Sequence, residues 1–131
     1  MKPGLIAGMS QEVRFEVTQA MCPHFDGVLV HPVCATWTLA NYMEVAGRKL
    51  LTPHLEPHEE GVGVHLTIDH RAAAPIGALV TVRATVESAS ARRLTCVTHA
   101  ASGERTIAEG RFVQAILPKE RLAEVFASGK T

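Results

Sequence analysis

The 131-residue chain has no net charge, thirteen Lys and Arg being offset by thirteen Asp and Glu. No global field therefore draws in nucleic acid or anionic lipid, and an anionic ligand has to be held by a local cluster. Long apolar runs are missing as well. The start, Met1 to Met9, has too short an apolar stretch for a secretory signal, and no run reaches membrane-spanning length. Cys22, Cys34 and Cys96 are odd in number, widely spaced and free of any CxxC pair. That fits a reducing compartment better than a disulfide framework or a zinc site, and a cytoplasmic setting is expected. Internal repeats and low-complexity tracts are absent too. The length leaves room for one domain, residues 1–131, near the size at which a second copy helps to bury a core. The tail, Ala127 to Thr131, reads as a frayed end.

What is present is a clear alternation of periods. Val13, Phe15 and Val17 alternate with charged and polar neighbours, the pattern of a strand with one buried face. Met21 to Pro32 is punctuated by Pro23, Asp26-Gly27 and His31-Pro32 and reads as a loop or lid. From Val33 to Leu51 follow good helix formers, apolar around most of the circumference, so the spacing predicts a helix buried on several sides. Thr52 to Gly61, with two prolines and an acidic cluster, ends it in a surface turn. Four segments of period two come next: Val62 to Ile68, Ala78 to Val86, Leu94 to Ala100 and Thr106 to Leu117. Their short links predict an antiparallel meander, and Pro118 starts a terminal helix over Lys119 to Ala127. The expected class is α+β, an antiparallel sheet of about five strands wrapped around one long helix. Its edges and apolar flank suit a homodimer.

Three polar residues stand out. Glu44 sits in the apolar stretch Trp37 to Ala46, where an unpaired buried carboxylate is costly unless its shifted acidity serves chemistry. A plainer alternative turns it to solvent or pairs it with Arg48 at i+4. His70 shares the parity of Val62, Val64, Leu66 and Ile68, so a regular strand points its ring at the helix, where it can meet Glu44. Its plainer alternative is a strand-end histidine satisfied by a backbone carbonyl. Thr36 opens the helix, where threonine is a common cap. Eight residues separate Thr36 from Glu44, roughly 12 Å along a helix, so the two groups flank a substrate or a second protomer completes the cluster. Paired arginines occur only at Arg92-Arg93, candidates for phosphate contacts or merely solvated turn residues. Gly77 permits a turn or lies against ligand. His54 and His58 have i,i+4 spacing, but Pro53 and Pro57 break any helix there, so no metal site is expected.

Together these residues resemble a known family. Val33-Cys34-Ala35-Thr36, Tyr42-Met43-Glu44, Leu55-Glu56-Pro57, Thr67 through His70 to Gly77, and Ala91-Arg92-Arg93-Leu94-Thr95 are similar to the fluoroacetyl-CoA thioesterase-like branch of the hotdog-fold thioesterases. The resemblance runs from about Phe15 to Ile116. It implies a hotdog fold, a dimer with active sites near the subunit interface, and hydrolysis of a small or medium acyl-CoA. It also implies Thr36, Glu44 and His70 as the catalytic set, with no cofactor beyond the coenzyme A of the substrate. Phe25 to His31 does not reproduce the aromatic-rich lid associated with fluoroacetyl selectivity, so that substrate is not carried over. A hotdog hydratase or dehydratase, or a non-catalytic acyl-thioester binder, are the alternatives.

Overall fold

A computed structural model describes residues 1–129; Lys130 and Thr131, the last of the expected frayed end, lie outside the described residues. The chain runs β1 (Ser10–Glu16), β2 (His24–Phe25), β3 (Val28–Leu29), α1 (Thr36–Leu51), β4 (Glu59–His70), β5 (Leu79–Ala89), β6 (Arg93–Ser102), β7 (Arg105–Pro118) and α2 (Lys119–Ser128). Five strands form one antiparallel sheet in the order β1-β5-β6-β7-β4. The α+β layout, with one long helix against a five-stranded sheet, is the one the periods predict.

Period two works as expected in the middle of the sheet. Val80, Val82, Ala84 and Val86 of β5, and Leu94, Cys96 and Ala100 of β6, are buried against Leu39, Met43, Ala46 and Leu50 of α1. Each fully buried aliphatic side chain contributes roughly 1.5–3 kcal/mol. Tyr42 stacks flat on Phe15 of β1, ring centroids 4.0 Å apart, which ties the helix to one sheet edge. At the other side Phe112 of β7 presses on Gly47, where an added Cβ would lie 2.6 Å from the ring. Two polar groups inside the core are satisfied: Gln114 Nε2 donates to the Gly47 carbonyl at 3.1 Å, and the Thr98 hydroxyl donates to Met43 Sδ at 3.3 Å.

Three expectations are corrected. The meander holds only for β5-β6-β7; β4 does not pair with β5 but crosses to the far edge and pairs with β7. The link 71–78 is therefore a crossing, pinned by Arg71 N–H to the Ile107 carbonyl and Gly77 N–H to the Val17 carbonyl, each at 2.8 Å. Second, β4 is not regular. Its register shifts between Gly63 and His65, leaving Val64 as the extra residue of a bulge. Before the bulge Gly61 and Gly63 face Leu51 and Phe112; after it Leu66 and Ile68 pack on the core, while Val62 and Val64 lie on the opposite face beside α2. Third, Met21 to Pro32 is not all loop, because β2 and β3 form a hairpin across Asp26 (φ 52°) and Gly27 (φ 77°). Positive φ at both central residues is what an Asp-Gly turn between twisted strands provides.

Helix α1 is buried on one side only. Leu39, Met43, Ala46, Leu50 and Leu51 are enclosed, whereas Trp37, Asn41, Glu44 and Val45 form an exposed stripe beside the free edge of β4. The apolar circumference read from the sequence thus includes residues that this chain alone leaves uncovered.

Candidate active site

The helix begins at Thr36, with Ala35 as its cap and no side-chain capping bond. Thr36 is thus the first helical residue rather than the cap, and its hydroxyl is used elsewhere: Thr36 Oγ1 and His70 Nδ1 share a hydrogen bond of 2.8 Å. Several contacts hold the two together. Cys34 N–H donates to the Ala74 carbonyl at 2.8 Å, Val33 bridges Pro75, and the strand carrying His70 ends where the link 71–78 passes the helix entry. His70 Nε2 is buried and has no hydrogen-bond partner among the described residues. Such an orphan costs about 1–3 kcal/mol of desolvation and is unusual outside sites where a ligand or a reaction uses the atom. It also displaces the plainer reading of His70 as a carbonyl-satisfied strand end.

Thr36 and His70 open into a cavity of about 410 Å³, walled by Pro23, Phe25, His31, Val33 and Trp37. Cys34 borders it too, but burial, aided by the neighbouring Cys22, pushes its thiol up to about 11. It stays protonated at neutral pH and is no thiolate nucleophile. The first N–H groups of α1 have no intrahelical partner and face developing negative charge favourably.

Glu44 follows the plainer of its two sequence readings, the one that turns it to solvent. Within this chain it is exposed, it lines a separate cavity of about 280 Å³ with Val45, Arg48, Phe112 and Gln114, and it does not meet His70. Nor does it pair with Arg48, whose guanidinium goes to Glu60 at 2.5 Å. Its side chain stands over Gly63 of β4, where an added Cβ would lie 3.2 Å from Oε1. The carboxylate therefore sits at the uncovered sheet edge, with no hydrogen bond or ion pair among the described residues. The structure joins two members of the expected triad and leaves the third facing outward.

The other expected contacts are also placed apart from the pair. Arg93 pairs with Ala115, which pairs with Val62. The eight residues from Val62 to His70 span roughly 25 Å of strand, so Arg92 and Arg93 lie at the opposite end of the sheet. Gly77 has φ 92°, its N–H is taken by the Val17 carbonyl, and a Cβ there would meet nothing within 4 Å. It is a turn glycine, with no donor left for a ligand. Sequence reasoning missed Phe25 and Pro23 as cavity walls; the Asp26-Gly27 pair was the signal that a hairpin brings them over the helix start.

A Thermus thermophilus hypothetical protein, a thioesterase superfamily member, superposes with a TM-score of 0.92 over 98% of this chain and 94% of that one, at 35% identity. The fold is that of the hotdog thioesterases, the class whose members hydrolyse thioesters. More narrowly, residues 17–120 match the family described as fluoroacetyl-CoA-specific thioesterase, FlK, and the chain belongs to that family. A curated relative, the fluoroacetyl-CoA thioesterase of Streptantibioticus cattleyicolor, is 35% identical over 89 residues. Those residues are 68% of this chain and 64% of the relative, so the chain spans less than two thirds of that protein. A variant of FlK in complex with fluoroacetate and CoA is 29% identical with a TM-score of 0.80, covering 90% of this chain and 99% of its own.

Proposed function

We propose that the protein hydrolyses a small or medium acyl-CoA to the free acid and CoA, as a cytoplasmic homodimer acting through Thr36, Glu44 and His70. The observation that carries this reading is the Thr36–His70 hydrogen bond at the start of α1, with the buried, unpartnered Nε2 beside a cavity. Thioester hydrolysis needs an activated water, a site for the negative charge on the carbonyl oxygen, and a proton for the leaving thiolate. Free N–H groups of the helix start receive the oxygen. Thr36 fixes the imidazole, which moves the proton. Glu44 takes the proton from the attacking water.

For Glu44 to reach the carbonyl, a second copy has to supply it. The free edge of β4 runs beside Glu44, Val45 and Val64. Antiparallel pairing of this edge with its own copy, the arrangement a two-fold axis produces, sets the His70 end of one strand beside the Glu59 end of the other. That pairing covers the Glu44 and Val45 part of the exposed stripe, leaves Trp37 at the cavity with Phe25, and carries the partner's carboxylate, and its Arg92 and Arg93, toward the Thr36–His70 pair. The reaction consumes only the thioester and water, and calls for no metal or cofactor. Three free buried cysteines support an intracellular enzyme of this kind, which we read as a single domain over residues 1–131.

Thiol release measured over a panel of acyl-CoAs tests the reading. Turnover of at least one member is expected. Thermal stabilisation by acyl-CoA with no thiol released would instead make the protein a binder, and loss of enoyl-CoA absorbance without thiol would make it a hydratase. A second expectation concerns the phosphates. Arg92→Gln combined with Arg93→Gln raises KM for CoA esters by about tenfold while leaving short non-CoA thioesters unaffected. Equal effects on both substrates would remove these arginines from the site.

A further inference from the structure

Two of the exposed large apolar side chains meet over the Thr36–His70 pair. Phe25, 58% exposed on the β2–β3 hairpin, and Trp37, 51% exposed in the first turn of α1, sit with ring centroids 5.6 Å apart and planes at 87°. Side chains this apolar and this open to water need a covering surface, and scattered singly they would signify little. Here they are paired, perpendicular, and both form walls of the cavity into which His70 opens. Two rings at right angles make a corner. A flat aromatic group placed in it stacks on one face while presenting its edge to the other ring, so both favoured aromatic geometries are satisfied by one ligand ring.

Resting on the thioesterase reading above, we infer that Phe25 and Trp37 form a specificity clamp for a ring-bearing acyl group, an aryl or arylacetyl thioester, rather than a two-carbon acyl. The cavity of about 410 Å³ is several times larger than an acetyl or fluoroacetyl group needs. Apart from Thr36 and the histidines its lining is apolar, with Pro23 and Val33 beside the two rings and no Lys, Arg, Asp or Glu to receive a charged acyl chain. A ring also loses less conformational freedom on binding than an alkyl chain of equal area, which favours it in a rigid corner. The hairpin fixes one half of the clamp: β2 and β3 are joined through the turn at Asp26-Gly27, and Val30 N–H closes back onto the Pro23 carbonyl at 2.9 Å. The other half is fixed by the helix itself. Trp37 directly follows Thr36, so the ring that selects the acyl group and the hydroxyl that holds His70 share one helical turn.

The test compares kcat/KM for phenylacetyl-CoA, hexanoyl-CoA and acetyl-CoA in the wild type, Phe25→Ala, Trp37→Ala and Trp37→Phe. The wild type is expected to prefer phenylacetyl-CoA over acetyl-CoA by at least tenfold. Either alanine variant lowers that ratio by about tenfold, and Trp37→Phe restores most of it. A wild type that prefers acetyl-CoA, or alanine variants whose ratio equals that of the wild type, overturns the clamp. Binding of two thioethers that no thioesterase cleaves, S-phenethyl-CoA and S-ethyl-CoA, is measured in parallel by calorimetry. Tighter binding of the phenethyl compound, lost in Trp37→Ala, upholds the clamp even if no thioester is hydrolysed, in which case the proposed reaction fails alone. Hydrolysis without any ring preference in either assay sinks the clamp and leaves the reaction standing.

Discussion

Replacing His70 with alanine is expected to lower kcat for thioester hydrolysis by about 10²–10⁴-fold, the usual worth of a positioned proton-transfer group, while thermal stability stays within about 1 kcal/mol of the wild type. The two halves of this result belong together. His70 Nδ1 is bonded to Thr36 Oγ1 at 2.8 Å, but Nε2 is buried and orphaned. Removing the ring gives up one hydrogen bond and some packing, and it relieves an unsatisfied atom whose desolvation costs about 1–3 kcal/mol. A histidine kept for structure would show the reverse pattern: little change in turnover and a fall in stability of several kcal/mol. Steady-state kinetics together with a thermal melt decide between them.

Gly110→Ala is expected to be the most damaging small substitution, lowering stability by about 3 kcal/mol or more and the melting temperature by roughly 10 °C. Gly110 of β7 faces Ile68 of β4. A Cβ there would lie 1.9 Å from the Thr67 carbonyl oxygen and 3.0 Å from its carbon, and backbone of a paired strand has nowhere to turn. The strand it would push aside carries His70 three residues further on, so activity should fall beyond what the loss of folded protein accounts for. Gly47→Ala makes a useful contrast. Its Cβ meets the Phe112 ring at 2.6 Å, a side chain that can shift, so the cost should be smaller. If Gly110→Ala melts with the wild type, the close approach of β4 and β7 described above is wrong.

Much of this architecture was legible in the chain because it is local. Val80 to Val86 and Leu94 to Ala100 alternate strictly, and each strand needs only its own period to declare which side is buried. Strand order was not legible. Whether β4 pairs with β5 or crosses to β7 depends on a non-local register that leaves no mark within either strand, and eight link residues permit both. The bulge at Val64 likewise reverses the faces of Val62 and Val64 while leaving His70 on the helix side, so regular parity holds for His70 and fails for the two valines. The helix hid its exposed stripe because Trp37 and Val45 are apolar, and an apolar stripe reads as buried whether its cover comes from the same chain or from another. Glu44 was singled out for its cost in an apolar setting, a cost that this chain by itself does not impose. In the proposed dimer it arises where a second copy closes the β4 edge.

That second copy is the point on which the account turns, and a mixed-protomer assay addresses it. Glu44→Gln and His70→Ala proteins, each inactive alone, are combined and allowed to exchange subunits, with exchange followed by differential tagging. If the carboxylate of one copy serves the imidazole of the other, each mixed dimer regains one intact site, and thiol release recovers to about a quarter of the wild-type rate at full random exchange. Activity that stays at the level of the separate variants after complete exchange would contradict it, as would full turnover by Glu44→Gln on its own.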